Sequence, residues 1–287
     1  MEFRNYTEDD YEALCGFLIA LNHDDRRHIN WNWARFEWMY EHPEFDKETI
    51  DAIGLWLDSG RIVGAAIYDM YFGEAFCAVL PGCEALYPAV LLYAYRELGD
   101  ENGLSVAVCD DSTGETEALT QLGFTLTEQD ETIMRVALDS ELPVRFPEGF
   151  SVEELDPAAR AYDFQWLLWQ GFDHGTDQAE FEVKDPVVPQ VRRHLDPRLS
   201  LTAVAPGGTL AAYCCLWYDS RTDYAYVEPV CTVPAYRGRG VAKALVSEAL
   251  NRARSLGARQ AYVISDAVFY EKLGFRKELH FSFYRKV

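Results

Sequence analysis

Val233-Pro234-Ala235-Tyr236-Arg237-Gly238-Arg239-Gly240-Val241-Ala242 decides how this chain is read. An apolar run, Val227 to Val233, leads into it. After it, Val241, Leu245, Ala249, Ala253 and Leu256 recur at helical spacing, and Gly257 supplies a stop. A strand, a glycine turn and a helix start in succession make an anion site. The first-turn N–H groups have no intrahelical acceptor, and the helix dipole adds partial positive charge there. Glycine removes the side chain that would hold a phosphate away from the backbone. Arg237, Arg239, Lys243, Arg252, Arg254 and Arg259 gather along the segment against Glu248 alone. That excess reads either as an exposed basic helix face or, better, as the setting for a polyanionic ligand.

Around this stretch, 287 residues with 49% apolar and 14% aromatic content allow two ordinary domains, each with a core, and exclude a disordered chain. No apolar run is long enough to span a bilayer, and Met1-Glu2-Phe3-Arg4-Asn5-Tyr6 does not read as a signal peptide. The seven cysteines lack C-x-x-C or metal-ligand spacing. The expectation is therefore a cytoplasmic protein with buried free thiols, no membrane partner and no metal. The net charge of −21 is lopsided: residues 1–140 carry 28 acidic and 8 basic side chains, residues 141–287 carry 19 and 18. Such a surface disfavours nucleic acid, whose phosphates need a basic footprint. It is either a well-solvated acidic face or a wall that favours a cationic partner.

The same order of elements occurs twice. Helical stretches Asp9–Leu21 and Pro157–Trp169 each follow a short strand, at Phe3 and Phe150. A hairpin turning at Gly60 has its counterpart at Gly208, and each half closes with Leu-Gly-Phe, at 122–124 and 273–275. The offsets agree: 147 from Phe3 to Phe150, 148 from Gly60 to Gly208, and 151 from Gly123 to Gly274. Chance matches would scatter, so the chain reads as a duplication with domains 1–140 and 141–287, joined through the Pro143, Pro147 and Gly149 region. The copies differ at the phosphate turn. In the first half it reads Leu80-Pro81-Gly82-Cys83-Glu84-Ala85-Leu86-Tyr87-Pro88, with no arginine and with a glutamate aimed at the anion's place. Trp31, Trp33, Phe36 and Trp38 recur at helical spacing and read as packing rather than a ligand cage.

With Arg237-Gly238-Arg239-Gly240-Val241-Ala242 and Phe269-Tyr270-Glu271-Lys272-Leu273-Gly274-Phe275 in one β–α–β layout, the sequence resembles the GNAT superfamily of N-acetyltransferases. The first run fits that family's R-x-x-G-x-G/A signature in its alanine form, the second its F-Y-E-K-x-G-F segment. The likeness covers residues 150–287 in element order and residues 1–140 more weakly. It implies an α/β (α+β) protein of two tandem GNAT-like domains, each a mixed, mostly antiparallel central sheet flanked by helices. The first domain would be a degenerate copy supporting the second.

The resemblance also implies acetyl-CoA as cosubstrate. Its phosphates would lie on Arg237, Gly238, Arg239, Gly240, Val241 and Ala242, and its pantetheine arm would run along the backbone of Cys231, Thr232 and Val233 as an added strand. Ser265 is a further candidate contact, because Val263 stands where the family often has an asparagine. The acyl group would pass by direct attack of a primary amine, with Tyr270 as general acid and Glu228 as base. Each of these two residues has a plainer reading, Tyr270 as a packed ring and Glu228 as an exposed strand carboxylate. Pro229 beside Glu228 suggests a bulge that re-aims the strand. Asp173 and His174 are lesser candidates for the base, and Trp166, Leu167, Leu168, Trp169 and Phe172 would border the acceptor. The acceptor would be a small-molecule or peptide amine, and the protein a monomer or homodimer. The alternative is a non-enzymatic acyl-CoA-binding or sensing module, and another acyl group is a third option.

Overall fold

The computed structural model describes residues 1–184, 187, 189–190 and 192–287, in two compact units. Unit 1 holds residues 1–134, 264–266 and 277–287; unit 2 holds 135–263 and 267–276. In chain order the elements begin with β1 (Glu2–Asn5), α1 (Tyr11–Leu21), α2 (Trp33–Tyr40), β2 (Gly54–Asp58), β3 (Arg61–Asp69) and β4 (Tyr71–Val79). They continue with α3 (Tyr87–Glu97), β5 (Leu104–Cys109), α4 (Thr113–Gln121), β6 (Thr125–Ala137), β7 (Ser151–Glu154), α5 (Ala161–Gly171) and α6 (Gln178–Lys184). The remainder are β8 (Ser200–Val204), β9 (Leu210–Tyr218), β10 (Tyr224–Thr232), α7 (Val241–Leu256), β11 (Gln260–Ile264), α8 (Val268–Glu271) and β12 (Arg276–Lys286).

Each unit is an α/β (α+β) layer built on a mixed, mostly antiparallel sheet flanked by helices. In unit 1, β1, β2, β3 and β4 pair antiparallel in turn, β4 pairs parallel with β5, and β5 pairs antiparallel with β12. In unit 2, β7, β8, β9 and β10 pair antiparallel in turn, and β10 runs parallel to β11. The inner strands β3 and β9 are buried almost throughout, because helices cover both faces: α1 and α3 against β3, α5 and α7 against β9. The α7 stripe of Val241, Ala244, Leu245, Ala249, Leu250 and Ala253 is fully buried, as its helical spacing requires. Trp31, Trp33 and Phe36 are buried in unit 1, where Trp31 stacks on Phe76 with centroids 4.1 Å apart.

Both units share a splay that matters for the site. The parallel pairing of β10 with β11 stops at Tyr226, six residues before β10 ends. In unit 1, β4 pairs with β5 only at Glu74 and Ala75, although it continues to Val79. Beyond the split, one edge of β10 has its backbone groups facing a gap.

The terminal strand departs from the sequence reading. A domain of 141–287 keeps that strand in the second half, whereas β12 lies beside β5, in register from Phe281 opposite Cys109 to Lys286 opposite Leu104. Phe281 and Phe283 are buried there, and the Lys286 ammonium sits 4.4 Å over the Tyr95 ring. Strand alternation shows which face is buried; it carries no information about which strand lies alongside.

His280 of β12 is held between two carboxylates, with Nδ1 2.8 Å from Asp110 and Nε2 3.5 Å from Asp130. Its hydrogen bond to Asp110 raises its pKa above the usual histidine value, against a smaller lowering by burial. The stabilisation is therefore complete below about pH 6.5 and is lost as pH rises through the raised folded value. The site is exposed, so its worth is about 0.5 kcal/mol. Denaturant midpoints of His280→Asn should fall below the parent's at pH 5.5 and converge with it at pH 8.5; an equal gap at both would contradict the pairing.

Candidate active site

The geometry of unit 2 follows from the end of β10. There the Val233 N–H donates to the Ala211 carbonyl, a single helical turn spans Pro234–Tyr236, and the chain swings through Gly238 (φ 72°) and Gly240 (φ 85°) into α7. Both angles lie in the left-handed region that glycine tolerates best. A Cβ at either glycine would meet nothing within 4 Å. The glycines are therefore required by backbone conformation rather than by crowding. Gly240 caps α7 with its carbonyl, which accepts from the Ala244 N–H, and offers no side chain. The N–H groups of the first helical turn are thus left to whatever lies in front of them.

In front of them is a cavity of about 550 Å³. Val230, Cys231, Thr232, Arg237, Gly238, Gly240, Val241, Ala242 and Tyr270 line it, all from the turn, the open edge of β10 and α8. Eight of the twelve residues singled out from sequence are thereby brought into one cleft. The other four are not part of its lining: Val233, Arg239, Ser265 and Glu228. The Val233 N–H is used within the sheet. The Arg239 guanidinium lies 5.1 Å above Phe150 and 5.7 Å above Tyr236, a cation–π setting outside the cleft. The Ser265 N–H donates to the Thr132 carbonyl.

Arg237 acts as a clamp. Its guanidinium donates to the Thr232 carbonyl (2.9 Å) and the Gly171 carbonyl (2.8 Å), and pairs with Asp173 (2.9 Å). These contacts tie the turn to the C-terminal end of α5 and account for Asp173 as a structural partner. The gathering of cations seen in the sequence also separates in space. Arg252 lies eleven residues past Val241, roughly 17 Å along the axis, and binds Glu248 and Glu154. Arg254 donates to the Leu138 carbonyl. The cations that do line the cleft, Arg237 apart, are Lys243 and Lys272, and among the described residues neither makes an ion pair. Lys272 reads in the sequence only as a motif position two residues after the tyrosine, and the structure adds it to the cleft lining.

Tyr270 stands on the one-turn helix α8, half-buried against Phe269 and Phe275 at 5.0 and 5.4 Å. Among the described residues its hydroxyl has no hydrogen-bond partner. Burial pushes the phenol well above its ordinary pKa, and Cys214 and Glu228 add to the rise. It is accordingly a protonated O–H across the physiological range. Glu228 sits where the β9–β10 register shifts between Val227 and Val230, the bulge that Pro229 suggests; the Glu228–Pro229 peptide is cis. The Trp217 indole donates to the Glu228 carbonyl at 2.7 Å. Its carboxylate, although outside the cleft lining, is near enough to influence Tyr270. Phe172, just past the end of α5, lines the cleft, whereas Trp166 and Trp169 of α5 pack on Phe181 at 5.1 and 5.7 Å. The His174 ring lies against Trp169.

Gly171 lets α5 reach β10. A Cβ there would fall 2.5 Å from Cys231 Sγ and 2.7 Å from Cys231 Cβ. Gly171→Ala should cost about 1–3 kcal/mol by overpacking, lowering the thermal midpoint and weakening ligand binding together as β10 is displaced. An unchanged midpoint in a melting experiment would show that the close approach is not maintained.

In unit 1 the corresponding turn carries its own carboxylate. The Gly82 N–H donates to the Glu84 carboxylate at 2.8 Å, and this bond, with that from the Glu84 N–H, lowers the Glu84 pKa. A fixed internal anion occupies the place that unit 2 leaves open.

The splayed sheet, the glycine turn and the cleft tyrosine come together in unit 2. Residues 160–275 match the model of the acetyltransferase (GNAT) family, and this part of the chain is a GNAT acetyltransferase domain. Among solved structures, a tandem GNAT protein from the clavulanic acid biosynthesis pathway is similar at 18% identity and a TM-score of 0.64, covering 99% of this chain and 98% of that one. A GCN5-related N-acetyltransferase from Sphaerobacter thermophilus aligns at 18% identity over 99% of this chain and 95% of its own, with a TM-score of 0.60. An acetyltransferase of the GNAT family from Colwellia psychrerythraea aligns at 12% identity over 100% of both, at 0.56. These likenesses concern the fold. A comparison with curated proteins found no match. No helix among the described residues is long and apolar enough to cross a membrane.

Proposed function

We propose that unit 2 transfers an acetyl group from acetyl-CoA to a primary amine by direct attack, and that unit 1 has no part in binding the cosubstrate. The observation that carries this reading is the single cleft in which Gly238, Gly240 and the first turn of α7 meet the open edge of β10 and the Tyr270 hydroxyl. The α7 N–H groups, with Lys243 and Lys272, hold the phosphates. The free edge at Val230–Thr232 takes the pantetheine amides as a neighbouring strand would. Acetyl-CoA supplies the thioester. The acceptor nitrogen forms the new bond to the acyl carbon, and the carbon–sulfur bond breaks. Tyr270 gives its proton to the departing thiolate, while Glu228 takes the amine proton through water. Solvent then returns a proton to Tyr270.

The acceptor is a small-molecule or peptide amine, and a cationic one suits the acidic balance of residues 1–140. Titration calorimetry of the full chain should give one acetyl-CoA per chain, and a panel of primary amines should release CoA. Failure to bind acetyl-CoA, or binding with no CoA released by any amine, overturns the proposal.

A further inference from the structure

Unit 1 keeps a cleft at the place where unit 2 has its own, between the end of β4, the start of α3 and α4. Its volume is about 270 Å³, just under the range of roughly 300–1,000 Å³ that suits drug-sized ligands. The apolar part of the lining comes from Leu21, Val79, Pro81, Pro88 and Ala118. The charged rim comprises Asp25, Glu84 and Glu115 against Arg27 and His28. Arg27 is bound to Asp25, with Nε 2.8 Å from the carboxylate, so no cation is left over for an anionic ligand. Glu115 lies 3.3 Å from His28 Nε2, and Glu84 holds the Gly82 N–H through one oxygen only.

Two further groups in this wall lack hydrogen-bond partners among the described residues. Tyr87 and Ser112, 3% and 2% exposed, both line the cavity, and among the described residues neither hydroxyl has a hydrogen-bond partner. Ser112 occupies the N-cap of α4, yet its side chain makes no cap hydrogen bond. Buried polar groups are ordinarily satisfied, so an unsatisfied pair beside a cavity calls for a ligand that satisfies them. An ammonium has three donors and no acceptor. The Glu115 carboxylate, the second Glu84 oxygen and Ser112 Oγ are acceptors, and the apolar part of the lining suits a short hydrocarbon or ring behind the charge.

We propose that the cleft of unit 1, closed to phosphates by Glu84 on Gly82 and lined by the unpartnered Tyr87 and Ser112 hydroxyls, is a binding site for a small amphipathic monoammonium compound. The cavity is too small for an acyl-CoA and has the wrong charge for one. Duplication has in this way produced a second site of opposite electrostatic sign.

Three probes of matching shape and different charge test this on the full chain: benzylammonium, benzyl alcohol and benzoate, followed by ligand-observed NMR. Benzylammonium should bind at least tenfold more tightly than benzoate, with benzyl alcohol between them. Glu115→Gln should weaken benzylammonium by about tenfold. Gly114→Leu should abolish its binding, because a Cβ at Gly114 meets nothing within 4 Å and the new side chain fills the mouth without disturbing the helix. Both variants should melt like the parent and keep the parent's affinity for acetyl-CoA. Benzoate binding as tightly as benzylammonium overturns the proposal. So does binding indifferent to Gly114→Leu, or lost instead in Glu228→Gln, since the amine would then be held in unit 2.

Discussion

Replacing Tyr270 with Phe should lower turnover by about 10²- to 10⁴-fold while acetyl-CoA binds within a few-fold of the parent's affinity. The ring keeps its contacts with Phe269 and Phe275, so only the O–H is removed. The loss belongs in kcat, because the proton moves when the thiolate departs and not when the cosubstrate binds. The pH profile offers a second measurement. An acid must be protonated to act, and burial raises this one. The parent should therefore show no loss from tyrosine ionisation below about pH 10, the unperturbed phenol value. A variant that binds and turns over like the parent would leave a binding or sensing module as the better description. Equal loss of binding and turnover would make Tyr270 a structural ring.

Ala242→Glu should cost acetyl-CoA affinity by roughly 10²-fold or more. Ala242 lies in the first turn of α7 and lines the cleft. A carboxylate there opposes the phosphates at close range, worth about 3 kcal/mol at an intermediate dielectric, and competes for the same N–H groups. The substitution reproduces in unit 2 what Glu84 does to Gly82 in unit 1. The helix itself should not suffer, since an acidic residue in the first turn suits the dipole. A melting midpoint at or above the parent's, together with lost calorimetric binding, is the expected pair of results. Binding unchanged at low salt would place the phosphates elsewhere.

The local elements were legible because their signals are local. The α7 stripe, the Gly257 stop, the bulge at Pro229 and the Glu84 carboxylate at the Gly82 turn each follow from neighbours within a few positions. Arg237 was visible as part of a motif, yet its work is done by reaching Gly171 and Asp173, more than sixty residues earlier. Sequence placed Arg252 and Arg254 with the head of the helix because they are near in number; 1.5 Å of rise per residue carries them away from it. Lys243 reaches the cleft from α7 and Lys272 from just past the end of α8, a convergence that no spacing rule encodes. Glu228, read from sequence as the candidate base, stands at the register shift in β10 and is not part of the cleft lining.

The pairing of β12 with β5 also governs when each unit can exist. Unit 1 begins with β1 and contains residue 134, but its sheet lacks a strand until residues 277–287 have been made. At about 5–20 residues per second on the ribosome, that strand arrives roughly 8–30 s after residue 134 has been added. Throughout this interval the β5 edge is an open hydrogen-bonding template. The nascent first unit must wait for the synthesis of unit 2, and a chain stopped just after residue 138 would yield an unfinished sheet rather than an independent domain.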